Sequence, residues 1–524
     1  MSSEFDVAIV GYGPVGQLLA LKLGRAGHRV AVVERWPALF HRPRAVHYDH
    51  EIGRVFQGAG VGEAMHAISD GAGEAKYFGA KRQLLARFAM SGGNQSGWRF
   101  ANGFAQPDLE TVLDTAVRAL PNVEVMRRWE ATEIRQDSTG VDLTVHSGAL
   151  SAGQWLRDGG VKTLRAKFVV GADGANSFVR QNLNTEFTDL GFAFDWLVVN
   201  IKWKQGHERE LPIEQICDPR RPTTVVPGGP GRRRWEFMLV PGDDPAAMTK
   251  PETTWALLAP WDITPDNAIL ERHAVYTFRA AWAENWRNGR VLVAGDAAHL
   301  MPPFLGQGMC SGMRDVATLS WELEMVLAGK QPVSFLDNYT SERLAHVQTI
   351  IHGSVAQGKI ICISDPAAAA ERDARMLAAQ SDPKAAPSMG PRPRLGNGIL
   401  LQGNPHAGLL GYQGVVEFRG KKGLFDDVVG RGFTLVGTSI DPHLHLSDAN
   451  RTFLEGLAAT VAHVSADGPI RDVDNGYTAW FAQQGVGAVL ARPDFYQFAA
   501  TNDPNEIDTM VDALREKLRY GVLT

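Results

Sequence analysis

Cysteine is scarce: the 524 residues hold three, Cys217, Cys310 and Cys362, and no two are spaced as a CxxC or a metal-ligand pair. That excludes a disulfide scaffold and a thiolate zinc site, and it makes a reducing compartment, the cytoplasm, the expected location. An excess of one charge is also missing. The net charge is -5, and the most basic cluster is the short "GRRRW" at Gly231 to Trp235. Nucleic acid is therefore not an expected partner, because tracking phosphates needs a stripe of Lys and Arg. No stretch of eighteen apolar residues occurs, and the opening "MSSEFDVAIVG" has neither a basic leader nor a cleavable apolar segment. No membrane association is expected. What remains is ordinary globular composition, 44% hydrophobic and 21% charged, at a length that calls for two or three domains.

Two glycine-rich turns stand nearly three hundred residues apart. In "FDVAIVGYGPVGQLLALKLGRAGHRVAVVER" an apolar run stops at Gly11, helical spacing follows to Gly27, and a β-branched run ends at Glu34. This is a βαβ unit with a GxGxxG turn. Gly11 permits the tight turn, Gly13 lets backbone approach a pyrophosphate, and Gly16 lets helix pack on strand. Glu34 falls 23 residues after Gly11, where a carboxylate can accept ribose hydroxyls. An adenine dinucleotide is the expected ligand. The second turn lies in "GRVLVAGDAAHLMPPFLGQGMCSGMRD", where a strand ends at Gly295-Asp296 and a helix starts near Gly308. Between the two, "KFVVGADGANSFVRQNL" ends another strand at Asp173-Gly174.

The intervening segments "WLVVNIKW", "RRWEFMLVP" and "HAVYTF" alternate with period two and are rich in aromatics, which implies an antiparallel sheet with one packed face. The nucleotide domain is thus expected to be interrupted and resumed: residues 1–183 and 286–363 for the nucleotide, 184–285 for the β-rich insert. Residues 364–398, dense in Ala, Pro and charge, read as a helix plus linker. A last α/β region follows at 399–524. It holds no cysteine, so it cannot run dithiol chemistry. Covering the cofactor domain, or a subunit contact in a homo-oligomer, is its expected role.

Taken together, GxGxxG with its acid, "GADG" and "GDAAHLMPPFLGQG" resemble the motifs of the single-component FAD-dependent aromatic hydroxylases, the group A flavoprotein monooxygenases. "PRAVHYDHE", "CDPRRP" and "RRWEFMLVPG" look most like the hydroxyphenylpropionate hydroxylases within that family. The resemblance implies an α/β fold: a Rossmann-like FAD-binding domain interrupted by an antiparallel substrate domain, with a thioredoxin-like domain at the C-terminal end. It implies bound FAD, and NADH or NADPH as a transient co-substrate, since no second GxGxxG follows a strand. A small aromatic substrate, a phenol or hydroxylated heteroaromatic, and O2 complete the set, with oxygen transferred from a flavin C4a-hydroperoxide. A Baeyer–Villiger or epoxidising oxygenase and a non-catalytic flavin binder are the alternatives.

By matching position, Arg35, Arg44 and Gln106 would touch FAD or the nicotinamide cofactor, and Asp173 would line their shared groove. Asp296 would take a ribityl hydroxyl. Pro303, Gly306, Gly308 and Met309 would face the flavin ring, with the helix dipole favouring its reduced anion. A phenol reacts better ionised and has a pKa of about 10, so a base is expected. In an extended segment His47 and Asp49 share a face; His47 is the candidate base and Asp49 its orienter. Tyr276 is an alternative partner for the phenol oxygen, and Arg220 and Arg221 for a substrate carboxylate.

Overall fold

The computed structural model describes residues 4–71, 73–90, 95–151, 154–381 and 393–518. The first apolar run forms strand β1 (Glu4–Val10), turns into helix α1 (Pro14–Arg25) and returns as β2 (Val30–Glu34). A loop then leads to the short strand β3 (His47–Asp49) and helix α2 (His50–Gly58), whose N-cap is Asp49. Helix α3 (Gln106–Arg118) packs on α1. The long strand β4 (Gln154–Gly171) pairs in parallel with β1 on the side opposite β2. Buried on both faces, β1 and β2 read as continuous apolar runs, as parallel strands do.

The second sheet contains β5 (Phe187–Trp203), β6 (Arg232–Met238) and β7 (Ala268–Ala283), antiparallel as the period of two requires. One face is apolar: Leu197, Val199, Ile201, Trp235 and Phe237 bury against Met248, Leu258 and Ile263. The sheet extends beyond the expected insert. Ile213–Cys217 pairs in parallel with Glu74–Gly79, which carries Leu84–Ala89 beside it. Parallel pairing joins segments distant in sequence, so no local pattern places 74–89 in this sheet.

The chain returns to the first sheet with β8 (Val291–Val293), parallel to β4. Helices α4 (Gly308–Leu327) and α5 (Asp337–Ile361) follow. The helix expected in the linker spans Pro366–Ser381 and lies against the outer strand of the substrate sheet. Met376 joins Leu85 and Cys217 in a small core, and Arg372 donates to the Cys217 carbonyl (2.6 Å). The helix thus covers a sheet edge. Residues 382–392 of the linker lie outside the described residues. The C-terminal region folds as a seven-stranded mixed sheet with helices Asp448–Gly456, Gly476–Gln484 and Glu506–Lys517. Among the described residues no helix is long and apolar enough to cross a membrane.

Candidate active site

Four motifs meet because their strands end in register. Val33, Val10, Gly171 and Val293 form one row across β2, β1, β4 and β8. The residues that follow them, Glu34, Gly11, Ala172 and Ala294, therefore line the carboxyl edge of a parallel sheet, where open α/β folds bind ligands. Gly11 has φ +103°, and a Cβ there would lie 2.3 Å from the Ala172 carbonyl oxygen. At Gly16 a Cβ would lie 2.1 Å from the Gly11 oxygen. Gly13 is different: nothing lies within 4 Å of its Cβ position. Its openness leaves the uncapped N-terminus of α1 free for an anion. Glu34 accepts from the backbone N–H of Tyr12 and of Trp36 (both 2.8 Å), which fixes the carboxylate against the turn.

The second turn is held by side chains. Asp315, fully buried in α4, accepts from the Gly295 N–H (3.0 Å), His299 Nε2 (2.7 Å) and Arg343 Nε (3.0 Å). Those charges hold its carboxyl below the usual range despite burial. Asp296 follows Gly295 at this edge and is exposed, with the charges of His299 and Arg44 nearby. Pro303 begins a turn that closes on the Gly306 N–H (2.8 Å). Gly306 has φ +65°, and a Cβ there would stand 2.9 Å from His47 Nδ1. Helix α4 then starts at Gly308 with no side-chain cap and no acid in its first turn. Its free N–H groups and positive dipole end point at this turn.

His47 Nδ1 lies 3.4 Å from the Gly306 carbonyl. A carbonyl only accepts, so Nδ1 carries the proton and Nε2 keeps its lone pair. Nε2 is buried with no partner among the described residues. Burial holds the imidazole pKa below its ordinary value, against the charge of Asp49 and the Gly306 contact.

The other face of the substrate sheet looks across at this turn. Phe304 touches Trp196 and Phe278, with ring centroids 5.6 and 6.0 Å away. Trp196 stands opposite Tyr276, and two-residue steps along the strands put Glu236, Asn200, Arg234 and Arg272 on the same face. Tyr276 Oη and Trp196 Nε1 are buried and unpartnered among the described residues. Arg234 donates to Asn200 Oδ1 (3.1 Å) and stands 3.7 Å from Glu236. Burial lowers the Arg234 pKa and raises that of Glu236, each opposed by the other's charge.

Residues 4–354 match the family described as the FAD binding domain, and residues 408–517 match the HcaD C-terminal domain. A probable NADH-specific resorcinol 4-hydroxylase of Rhodococcus jostii (strain RHA1) is 34% identical over 507 residues, covering 96% of this chain and 93% of that one. A 3-(3-hydroxy-phenyl)propionate/3-hydroxycinnamic acid hydroxylase of Comamonas testosteroni is 31% identical, covering 97% and 96%. The chain belongs to the FAD-dependent aromatic hydroxylases. The flavin-dependent monooxygenase PieE, solved with FAD and substrate, shares the fold at TM-score 0.80 and 21% identity, covering 98% of this chain and 99% of that one. Family membership decides for aromatic hydroxylation with FAD and NAD(P)H over the Baeyer–Villiger, epoxidising and non-catalytic alternatives.

The hydroxylase's own geometry fits FAD. The open Gly13 site, the fixed Glu34, the exposed Asp296 and the uncapped start of α4 line one sheet edge. Met309 sits half-buried in the first turn of α4, and Gly308 leaves 3.8 Å to Met301.

Several expected roles change. Asp49 caps α2 through the Ile52 N–H (3.1 Å) and binds Arg314 and Gln307. It reaches His47 as a nearby charge, and the orienting contact comes from Gly306 instead. Gln106 is occupied at both ends, by the Ala45 N–H (2.8 Å) and Glu110 (2.7 Å); it seats the loop that carries Arg44. Glu110, which the sequence did not single out, has its pKa pushed up to about 7 by burial. Asp173 accepts from Ser177 (2.5 Å) and the Val179 N–H (3.1 Å), a local turn contact. Arg35 is exposed and stacks on Trp36. Arg220 pairs with Asp218 and Arg221 with Asp243, so neither waits for a substrate. Asp315, Arg314, His299, Asn200, Arg234 and Glu236 were missed; the alternation of "RRRWEF" was the available signal for the last two.

Proposed function

We propose that this enzyme hydroxylates a neutral phenol bearing a second small polar group, of the resorcinol kind, between His47 and the polar face of the substrate sheet. The observation that carries the reading is charge balance. Arg234 is matched by Glu236 and held by Asn200, so its charge is not available to a substrate carboxylate. Arg272, on the same face, turns toward the loop after β2: it donates to the Pro43 carbonyl (2.9 Å) and stacks over Phe40 and Tyr276. There burial, Arg44, Arg234 and Arg42 together bring its pKa down to about 10. A cluster of mutually repelling cations suits phosphate, and we place the transiently bound NAD(P)H phosphates at Arg42, Arg44 and Arg272. The free and buried state of all three cysteines suits a reducing compartment, which we take to be the cytoplasm.

Bound FAD supplies electron transfer from NAD(P)H and activation of O2; the chain supplies the rest. Glu34 would hold the adenosine ribose and Asp296 the ribityl chain, and the uncapped start of α4 would favour negative charge on the ring. His47 Nε2 takes the phenol proton, which makes the ring carbons more nucleophilic. Tyr276 Oη and Trp196 Nε1 donate to the substrate's oxygens. Trp196, Phe278 and Phe304 exclude water from the reacting face.

The test compares resorcinol, phenol and 3-(3-hydroxyphenyl)propionate as substrates, scoring hydroxylated product per NAD(P)H consumed. Resorcinol-type phenols should give the highest kcat/KM and the tightest coupling. A clear preference for the propionate would overturn the charge-balance reading.

A further inference from the structure

The C-terminal domain reaches the flavin-facing turn through a continuous chain of buried side chains. Its segment Arg492 to Tyr496 inserts between α2, α4 and α5, with Arg492, Asp494 and Tyr496 each 1% exposed. Arg492 donates to Glu342 of α5 (2.7 Å), and Asp494 accepts from Thr318 of α4 (2.9 Å). Tyr496 goes further. Its hydroxyl donates to Glu51 Oε1 (2.7 Å) and meets His346 Nε2 at 3.1 Å. The other oxygen of Glu51 accepts from Arg314 Nε (2.6 Å). Arg314 then uses its remaining nitrogens on Gln307 Oε1 (2.8 Å) and on Asp49. Gln307 also donates to Asp49 (3.0 Å). Gln307 lies between Gly306 and Gly308, and Asp49 is two residues from His47 on β3.

We propose that Tyr496, Glu51 and Arg314 are positioning residues, through which the C-terminal domain sets the placement of the Gly306–Gly308 turn and hence the binding and electronic state of FAD. The physical case is one of valence and burial. Arg314 is a planar fork whose three nitrogens each meet a different acceptor: the helix α2 acid, the strand β3 acid and the turn amide. A guanidinium pinned by two carboxylates in a buried site has one low-energy orientation. Glu51 in turn keeps its rotamer because the tyrosine hydroxyl occupies its second oxygen. Removing that hydroxyl leaves Glu51 under-satisfied, free to rotate about Arg314, and the turn amide loses its fixed partner. The domain holds no cysteine, and its hydrogen-bonded route to the Gly306–Gly308 turn runs from Tyr496 through Glu51 and Arg314 to Gln307.

The experiment titrates FAD into apoprotein for wild type and Tyr496→Phe, and measures the flavin absorbance spectrum and reduction potential of each holoenzyme. Tyr496→Phe keeps the ring packing and deletes one oxygen. The expected result is a rise in FAD Kd of about tenfold, the scale of one lost buried hydrogen bond to a charged group, with a shifted spectrum and potential. Arg314→Met should raise Kd at least as much, and Tyr496→Phe should add nothing on that background, because the two act in series. Gln331→Leu is the control: it removes another contact between the C-terminal domain and the FAD domain, to the Leu518 carbonyl (2.8 Å), remote from the turn. It should lower Tm while leaving FAD Kd and spectrum unchanged. A Tyr496→Phe protein with wild-type Kd, spectrum and potential would overturn the proposal, as would full additivity with Arg314→Met. If Arg314→Met does not fold, the Tyr496→Phe titration decides alone.

Discussion

The two glycine turns that we assign to one cofactor are built in opposite ways. The first is made of backbone: Gly11 and Gly16 are excluded from carrying a Cβ by atoms within a few residues or one strand away, and Glu34 is tied down by backbone N–H groups. The second is made of side chains: Asp315 joins Gly295, His299 and Arg343, and Arg314 joins Glu51, Asp49 and Gln307. A turn fixed by local sterics tolerates no substitution at the glycine but is indifferent to remote mutations. A turn fixed by a network spreads its vulnerability over half the chain.

The comparison breaks first at Gly11. Gly11→Ala forces a Cβ into the Ala172 carbonyl at a left-handed φ, and the purified protein should retain no flavin by absorbance. Next comes Asp315→Asn, which keeps the acceptor for Gly295 but leaves buried Arg343 without its counter-charge. The expected loss is about 3–5 kcal/mol in denaturant unfolding. Its sign with pH follows from linkage. Because the folded pKa of Asp315 is depressed, its stabilisation is present above the ordinary 3.8 and is lost as pH falls through the folded value. The variant should therefore show a shallower acid-side decline than wild type.

At His47 the effect is catalytic. His47→Gln should cut hydroxylation about 100-fold while flavin reduction by NAD(P)H changes by less than about threefold; equal loss of both steps would remove the base role. Burial lowers the His47 pKa, so the imidazole stays neutral below its ordinary 6.5. The acid limb of the wild-type hydroxylation profile should then fall below pH 6.5. Gly13→Ala sharpens the contrast with Gly11: its Cβ meets only open space, so apoprotein Tm should be unchanged while FAD Kd rises about tenfold. The smallest effect is expected of Glu236→Gln. It unbalances Arg234, and the ratio of kcat/KM between resorcinol and 3-(3-hydroxyphenyl)propionate should move several-fold toward the acid, as one charge interaction implies.

The same contrast explains what the sequence disclosed. Gly11, Gly13, Gly16 and Glu34 were legible because spacing within one βαβ unit encodes their geometry. The roles proposed for Asp296, Gly306 and Gly308 rest on resemblance, since a strand–turn–helix corner alone does not name its ligand. Arg314 and Asp315 stand at the tail of the second glycine motif, yet nothing local assigns them a role, because their partners lie 263 and 28 residues away, at Glu51 and Arg343. Asp49 was misread for a related reason. Period-two alternation correctly put it on the face of His47, but alternation is silent on the cap and the arginine that claim its oxygens. The polar row on the substrate sheet was hidden because a buried Arg or Glu in a strand looks like the solvated half of an alternating pattern.

One feature of the substrate sheet bears on how this enzyme can be rebuilt. Its strands come from residues 74–89, from 187–283 and from His299–Leu300, and a helix from 366–381 covers its outer edge. A chimera that exchanged only residues 184–285 with another hydroxylase would carry Ile213–Cys217 without the parallel partner it evolved against. Transfer of substrate preference between relatives thus calls for a graft in three pieces, with Glu74–Gly79 travelling alongside the insert.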